Sequence, residues 1–334
     1  MTRASLIFAG LLAVLLPLSL LAGQVWIDPF AGTPNVPNAA LILMELRLPR
    51  ALLAVLVGAG LGAAGAAMQG YLRNPLADPG LFGIAPMAAL GAVASFWFAS
   101  LLPPALAAWS LPAFALTGAA LGMGLLAAIA GRSVNDGASG SGGGIALFTL
   151  AGLMLASLAG ALTALAITLS PNAFALSQIV MWLNGALTDR SWREVWIAAP
   201  LIVPGIAALG FAARSLNALT LGEEAARSMG VDPVRLLWVL IVGIGLTVGA
   251  SVAVAGIIGF VGLIVPHLVR PLTDRMPSSL LLPSALAGAC LVLIADCAVR
   301  VLPLVTELRL GIALSLIGAP FFLWLLLRMR RGLV

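Results

Sequence analysis

The sequence predicts an all-α integral membrane protein with about ten transmembrane helices, some of them short or broken. Of the 334 residues, 62% are hydrophobic and only 9% are charged, and the mean hydropathy is +1.14. Soluble domains are only about half apolar. Because a helix needs about 20 apolar residues to cross a bilayer, the chain provides around ten crossings and almost nothing more. We therefore expect one transmembrane domain over residues 1–334.

The expected helices follow from the apolar stretches, taken in order. These cover residues 4–23, 47–70, 81–102, 113–131, 145–169, 195–213, 234–256, 257–269, 280–301 and 309–327. The first resembles a signal peptide but exceeds the usual length of its apolar region, so we expect an uncleaved span. The eighth is short and contains Pro266, so we expect it to cross only part of the bilayer, shielded by protein. Segment 133–144 is rich in Gly and Ser, which predicts a flexible cytoplasmic connection.

The arginine distribution predicts the orientation of the chain in the membrane. Ten crossings place both termini on one side, and that side then receives eleven of the 17 basic residues. Basic residues concentrate in cytoplasmic loops, so we expect both termini in the cytoplasm. The remaining six are expected outside: Arg47, Arg50, Arg190, Arg193, Arg300 and Arg309.

Missing residue types exclude several kinds of chemistry. All 17 basic residues are arginine, which excludes a P-loop, whose lysine contacts the phosphates of the nucleotide, and Schiff-base catalysis. The single histidine, His267, excludes a His-based metal site or an HExxH protease. Cys290 and Cys297 are about 10 Å apart along one helix, too far for a disulfide within it. We expect no metal and no cofactor bound by this chain.

Glycine patterns in the apolar stretches predict helix packing. Gly60-x-Gly62-x-x-Gly65 matches the dinucleotide fingerprint, but it lies in a predicted membrane helix instead of a βαβ unit. Small residues at such spacings let helix backbones approach closely. The same interpretation applies to Gly58-x-x-x-Gly62, Gly118-x-x-x-Gly122 and Gly245-x-x-x-Gly249.

The stretch "YLRNPLADPGLFG" (71–83) contains two turn signals, Asn74-Pro75 and Asp78-Pro79-Gly80. They predict irregular backbone at the inner membrane surface, which is tolerated where it contacts protein or a cavity. An ordinary tight turn and a gate lining a pathway are both open.

Two charged groups are expected near the outer surface. Arg47 and Arg50 lie where a helix is predicted to begin at Pro49; positive charge there opposes the helix dipole, which favours an acidic partner or lipid phosphate as their contact. Asp296 and Arg300 have the i,i+4 spacing of a helical ion pair. A charge at membrane depth is a functional candidate, although the pair could simply neutralise itself.

The stretch "LTLGEEAARSMGVDP" (219–233) predicts a short cytoplasmic helix between the sixth and seventh spans. Glu223 and Glu224 stand early in it and Arg227 late, as the helix dipole favours, and Gly230 is a typical C-terminal stop. Its polar face suits a protein partner, and a solvated loop helix is the alternative.

Five blocks, in order, resemble permease subunits of the FecCD type, the family that imports vitamin B12, haem and ferric siderophores. They are "RLPRALLAVLVGAGLGAAGAAMQGYLRNPLADPGLFGI" (47–84), "MWLNGALTDRSW" (181–192), "LTLGEEAARSMGV" (219–231), "VAVAGIIGFVGLIVPHLVR" (252–270) and "TELRLGIALSLIGAPFFLWLLLR" (306–328).

The resemblance implies a type II ABC importer permease fold and a homodimer in the bacterial inner membrane, surrounded by lipid, with the translocation path on the two-fold axis. Two ATP-binding cassette subunits would bind on the cytoplasmic side, holding ATP and Mg, and a periplasmic substrate-binding protein would bind outside. This chain would perform no bond chemistry and bind no nucleic acid.

The resemblance also assigns three groups of residues. The ATPase-coupling segment comprises Leu221, Gly222, Glu223, Glu224, Ala225, Arg227, Ser228 and Gly230. Docking of the binding protein falls on Arg47, Arg50 and Arg300. The cytoplasmic gate falls on Asn74, Pro75 and Leu76.

Two departures from the family pattern affect these expectations. Where relatives place small polar residues in a second gate, this chain has Gly144, Ile145 and Ala146, so that constriction is apolar or absent. The usual "ELPVG" reads "ELRLG" here, which adds Arg309 to the outer docking surface or to the lipid headgroups.

We expect an importer that carries a bulky metal chelate by alternating access, with an iron complex favoured because that is the family's commonest cargo. A proton-coupled secondary transporter without an ATPase is the alternative, with Asp296 as its one plausible relay. An intramembrane enzyme would need a nucleophile and base that the sequence does not provide.

Overall fold

The computed structural model describes residues 2–23, 38–98, 102–135, 143–170 and 172–331, which form helices and connecting turns without a β-strand. We number the helices in chain order. They are α1 Arg3–Leu21, α2 Ala39–Leu72, α3 Ile84–Phe98, α4 Pro104–Asn135, α5 Gly143–Thr168, α6 Ala173–Leu183, α7 Trp192–Leu219, α8 Glu223–Ser228, α9 Pro233–Ala255, α10 Val261–Val269, α11 Pro277–Val301 and α12 Leu310–Arg331.

In the described part of the chain, eight helices are long and apolar enough to cross a membrane: α1, α2, α4, α5, α7, α9, α11 and α12. They correspond to eight of the ten predicted spans. The third predicted span forms the 15-residue helix α3. The eighth forms α10, whose 9 residues extend about 13 Å at 1.5 Å per residue. The bilayer core is about 30 Å thick, so a helix of this length is too short to cross it, as the prediction of a partial crossing requires.

Two local predictions are wrong. No helix begins at Pro49, because α2 runs from Ala39 to Leu72 and contains a π-helical turn at Ile42–Arg47 directly before the proline. The helix dipole therefore gives no reason for Arg47 and Arg50 to need an acidic partner. The prediction also omits α6, whose 11 apolar residues are too few for a span. Most of the predicted flexible connection, residues 136–142, lies outside the described residues.

Helices α2 and α11 pack backbone to backbone at the centre of the molecule. A Cβ atom on Gly58 would collide with the Gly288 carbonyl, and one on Gly62 would collide with the Ser284 carbonyl. A Cβ on Gly65 would likewise collide with Gly262 of α10. The packing interpretation of these glycines is confirmed, since only glycine permits these distances.

Two turns and the start of a helix meet at one junction. Residues 256–260 separate α9 from α10, with Gly256 at φ 73°, and they contact the turn after α6 and the start of α12. The amide of Ala186 donates to the Ala255 carbonyl at 2.7 Å, and the amide of Gly311 donates to the Gly185 carbonyl at 3.0 Å. Such bonds supply partners for irregular backbone inside a membrane protein. We call this contact the backbone junction.

Helices α1, α5 and α12 present apolar side chains outward. Met154 of α5 is 65% exposed and Leu316 of α12 is 66% exposed. A surface of this kind fits an environment of lipid chains or another apolar subunit better than water.

Candidate functional site

The predicted cytoplasmic helix of the 219–233 stretch is present as α8, Glu223–Ser228. Gly222 precedes it at φ 107°, and Gly230 follows it at φ 85°, a left-handed conformation that favours glycine. The amide of Val231 donates to Ala226 at 3.0 Å and that of Gly230 to Arg227 at 2.9 Å. This pair of bonds is a Schellman motif, which confirms Gly230 as the helix stop.

The next helix begins immediately after this stop. The Asp232 carboxylate accepts hydrogen bonds from the amides of Val234 at 2.9 Å and Arg235 at 3.2 Å, which is N-terminal capping of α9. Helix α8 is therefore held at both ends by defined backbone geometry, and it forms a compact projection between α7 and α9.

The outer face of this projection combines charged and apolar side chains. Leu221 is 68% exposed and Met229 is 63% exposed, while Glu224, Arg227 and Ser228 are also exposed. Ala225 is half-buried and Ala226, on the opposite face, is buried. Exposed apolar groups beside charges at a short rigid helix are typical of a surface that binds another protein.

An open groove of about 610 Å³ lies next to this helix, between α7 and α9. Its walls include Arg214, Met229, Asp232 and Arg235. The sequence did not indicate that these arginines or Met229 belong to the site, because the groove forms only where α7 and α9 pack against each other.

Glu223 differs from its exposed neighbour Glu224. It is half-buried, and its Oε1 atom has no hydrogen-bond partner in the described part of the chain. Glu223 is also close enough to Tyr71, near the inner end of α2, for their charges to interact. A change at Glu223 is therefore expected to affect the packing of α8 as well as its outer surface.

The predicted gate residues form a tight turn directly after α2. Arg73 ends the helix with φ 53°. The Asn74 side-chain oxygen accepts from the amide of Leu76 at 2.9 Å, and its carbonyl accepts from Ala77 at 3.2 Å. Pro75 occupies the middle of this turn.

The same turn also borders an apolar cavity of about 280 Å³. Leu76 lines it from the turn, and residues on the other side come from α9, the backbone junction and α12, namely Val252, Ile258, Phe260 and Phe322. The structure therefore shows a tight turn that also lines a cavity, and the gate stays a prediction. At the positions where a second gate was considered from the sequence, Ile145 packs against the hydrophobic core and Ala146 is exposed.

Gln69 connects α2 to α10 above this turn. Its side chain is buried, donates to the Leu263 carbonyl at 3.2 Å, and accepts from Arg270 at 2.9 Å. The sequence analysis missed this residue. The signal was available, because a polar residue inside an apolar span needs a partner.

The three arginines predicted to dock the binding protein converge at the C-terminal ends of α1 and α11 and in the N-terminal part of α2. Arg47 donates to the carbonyls of Leu20 at 2.7 Å and Leu21 at 3.0 Å. Arg300 donates to the carbonyl of Ala22 at 3.2 Å. These bonds satisfy carbonyl groups at the C-terminal end of α1, which a helix leaves without partners.

Asp296 is the centre of this group. It is fully buried and lies 3.1 Å from Arg300 Nε, which confirms the predicted i,i+4 pair. It lies 2.8 Å from Arg50 Nη2 as well. Arg50 also donates to Glu307, through Nη1 at 3.1 Å and through Nη2. We call Arg50, Asp296, Arg300 and Glu307 the outer charge cluster.

Glu307 is the member of the cluster that sequence reasoning missed. Burial opposes ionisation of its carboxyl group, but hydrogen bonds and charge from Arg50, with a hydrogen bond from Thr188, outweigh that effect and lower its pKa. Two carboxylates thus balance the two guanidinium groups of Arg50 and Arg300. Arg47 contributes a further positive charge beside Arg300.

Among the remaining residues with reactive side chains, Cys297 contacts the outer charge cluster, because Arg300 Nη2 donates to its Sγ atom at 3.3 Å. The ring of His267 packs edge-on against Phe321, with 6.2 Å between centroids. Cys290 and Cys297 are free thiols, so the prediction that they form no disulfide is confirmed. In the described residues, no group of three or more His, Cys, Asp or Glu side chains is placed to hold a metal ion.

Comparison with known proteins agrees with the resemblance found in the sequence. The model of the FecCD transport family matches residues 11–328. The vitamin B12 import system permease protein BtuC of Escherichia coli O9:H4 (strain HS) is 37% identical over 98% of this chain and 96% of its own. The hemin transport system permease protein HmuU of Yersinia pestis is 40% identical over 86% of this chain and 84% of its own.

A solved structure shares the fold. It is described as an inward-facing conformation of a metal-chelate type ABC transporter, and it superposes with a TM-score of 0.84 at 29% identity, covering 97% of this chain and 98% of its own. The relatives are transport subunits and not enzymes. Since the family model covers nearly the whole chain and both relatives exceed 30% identity over most of it, the protein belongs to the FecCD transport family.

Proposed function

We propose that this chain is the membrane-spanning subunit of an ATP-driven importer, which moves a bulky metal chelate into the cell by alternating access. The names of the relatives support this class of cargo: vitamin B12 for BtuC, hemin for HmuU and a metal chelate for the solved structure. We favour an iron complex within this class. The subunit would work as a homodimer in the bacterial inner membrane, with both termini in the cytoplasm.

The observation that carries the proposal is the fixed, exposed helix α8. A separate ATPase needs a rigid element on the permease through which closure of the ATPase dimer can move the spans. Helix α8 is fixed between Gly222 and Asp232 by a Schellman motif and an N-cap, and Leu221, Glu224 and Met229 face outward. ATP and Mg would bind the ATPase, since this chain has no lysine for a P-loop.

The turn at 74–76 provides an inner gate in this scheme. Leu76 and Phe260 line the same apolar cavity from different parts of the chain, so a relative movement of α2 and α10 changes its width. The cavity has few fixed charges, which suits the release of a bulky chelate more than its retention.

The outer charge cluster provides the docking surface for a periplasmic binding protein. Arg50 is 11% exposed at its side chain and Glu307 is 23% exposed, so both are within reach of a partner at the surface. Charged pairs at the rim of an interface mainly set orientation and association rate. The apolar outward faces of α5 and α12 offer surface for the second copy of this chain or for lipid.

A proton-coupled transporter is less well supported, because its one candidate relay residue, Asp296, is already paired with two arginines. Asp296 has no exposed surface and is paired with both Arg50 and Arg300. A relay must release and rebind protons during transport, whereas both carboxylate oxygens of Asp296 are already bonded to guanidinium groups.

The proposal is tested by co-purification with the ATPase encoded beside this chain. We expect the ATPase to co-elute with the wild type in mild detergent and to hydrolyse ATP. Glu224→Arg reverses an exposed charge without disturbing the core and should weaken the complex, and Glu223→Arg/Glu224→Arg should abolish it. Glu45→Arg, at an exposed carboxylate far from α8 in sequence and predicted to lie outside, is the control.

Two results would contradict the proposal. The first is a wild-type dimer that binds no ATPase, in which case proton-driven uptake should be measured next. The second is an ATPase complex that tolerates the double charge reversal as well as it tolerates Glu45→Arg, which would place the coupling surface elsewhere.

A further inference from the structure

A second cationic site lies near the outer charge cluster, in a pocket of about 240 Å³. The pocket is enclosed by α3, α4 and α6 and by the turn before α7. Its apolar wall includes Phe96 and Leu111, and its polar wall includes Gln178, Thr188, Asp189, Arg190 and Arg309. From the sequence, Arg309 was expected to join either the docking surface or the lipid headgroups. In the structure, Arg309 lines this pocket.

The two arginines of this pocket have no ion-pair partner in the described part of the chain. The Nε atom of Arg190 is buried and forms no hydrogen bond there. Asp189 and Glu194 are near enough to act on Arg190 electrostatically, but Glu194 is paired with Arg193 at 2.6 Å and also accepts from Ser191 at 2.8 Å. Burial lowers the pKa of Arg190, the positive charges of Arg193 and Arg309 add to this effect, and the negative charges of Glu194 and Asp189 oppose it without cancelling it.

Trp182 provides a further unused donor at the same pocket. Its side chain is 8% exposed, lines the pocket, and its indole N–H has no acceptor among the described residues. Buried donors normally have partners. Two guanidinium groups and an indole N–H all require an acceptor, and a carboxylate satisfies both the charge and the hydrogen bonds, with Arg able to bind it bidentately.

The volume and the position of the pocket indicate which kind of molecule carries this carboxylate. Pockets that enclose whole small molecules measure about 300–1,000 Å³, so this one suits a side chain better than a metal chelate. It is also continuous with the outer charge cluster, because Thr188 lines the pocket and hydrogen-bonds Glu307, which is bound to Arg50.

We propose that Arg190 and Arg309 receive an acidic side chain of the substrate-binding protein, as a docking point separate from Arg47, Arg50 and Arg300. This rests on the proposed function, which supplies the binding protein as partner.

The test uses the permease–ATPase complex in nanodiscs of phosphatidylcholine, and the substrate-binding protein encoded beside the permease as the probe. Association rate and affinity are measured at low and high salt. We expect Arg190→Gln/Arg309→Gln to weaken affinity about tenfold or more and to flatten its salt dependence. Arg309→Lys, which keeps the charge, should retain most of the salt dependence.

Glu45→Gln is the control, because it removes an exposed charge that is predicted to lie outside and does not line the pocket. We expect its affinity to stay within about twofold of the wild type, as for charges outside the contact. An unchanged ATPase rate and elution volume show that each variant is folded.

The outcomes separate this inference from the proposed function. If the wild type binds no substrate-binding protein, the proposed function fails and the docking point fails with it. If the wild type binds and the double variant binds equally well, only the docking point is refuted. If binding is unchanged but phosphatidylglycerol stabilises the wild type more than the double variant, the pocket holds a lipid headgroup and the inference is overturned.

Discussion

The guanidinium group of Arg50 on α2 bonds to both carboxylate oxygens of Asp296 on α11. Its Nε lies 2.9 Å from Oδ1 and 3.1 Å from Oδ2, and its Nη2 lies 2.8 Å from Oδ1. The two residues are separated by 246 positions in the chain. Since Asp296 also pairs with Arg300, a single buried carboxylate bonds to two arginines and joins the two central helices.

The first prediction concerns the loss of this carboxylate. Asp296→Asn preserves shape but leaves Arg50 and Arg300 with only Glu307 as counter-charge, and breaking a buried ion pair costs about 3–5 kcal/mol. We expect a clear fall in the melting temperature of the purified protein. Asp296→Asn/Arg50→Met removes one unbalanced charge and should melt above the single variant. A single variant as stable as the wild type would contradict the assigned role.

The second prediction concerns pH and Glu307. Its folded pKa is lowered, so its ionised form stabilises the folded state at pH values above the ordinary glutamate pKa of about 4.3. That stabilisation is lost as the pH falls through the lower, folded value. We expect Glu307→Gln to melt below the wild type at pH 7, and the two curves to converge in acid. A difference that stays constant with pH would show that Glu307 does not act through its charge.

The third prediction tests the central helix contact. Gly62→Ala places a methyl group against the Ser284 carbonyl of α11, and overpacking of this kind costs about 1–3 kcal/mol. Gly160→Ala on α5 is the matched control, since nothing lies within 4 Å of its Cβ position. We expect only the first to lower the melting temperature. Equal effects would mean that helix propensity, and not the close contact, determines the result.

The fourth prediction tests the proposed gate at 74–76 separately from binding of the ATPase. Leu76→Trp fills part of the cavity of about 280 Å³ beside the 74–76 turn without touching α8. We expect uptake of the chelate to fall at least about tenfold while ATPase binding persists, because the coupling surface is unchanged. Uptake is measured in cells with vitamin B12, hemin and a ferric siderophore as cargo. Leu76→Ile, of equal volume, should behave as the wild type. Normal uptake by Leu76→Trp would remove the turn from the pathway.

Much of this fold was predictable, because membrane helices are encoded by long apolar runs. Local spacing was also informative: the i,i+4 pair of Asp296 and Arg300 and the helix stop at Gly230 were both predicted and are both present. Each of these features depends on residues close together in the chain.

Features that depend on distant residues were not predictable. Nothing in the spacing of Arg50 and Glu307 indicates that they meet, since 257 positions separate them. The prediction that a helix begins at Pro49 was wrong because proline is tolerated in two settings. It can occupy the first turn of a helix, or, as here, it can follow a π-helical turn within a longer helix. Helix α6 was missed because its length falls below that of a span.

In the backbone junction, the main chain and not the side chains makes the hydrogen bonds that join the segments. Its bonds join the amide of Ala186 to the carbonyl of Ala255 and the amide of Gly311 to that of Gly185. No side-chain atom takes part in these bonds. Substitutions at Ile257 or Ile258, which line the cavity, are therefore expected to change the shape of the proposed passage while the main-chain bonds of the junction are kept.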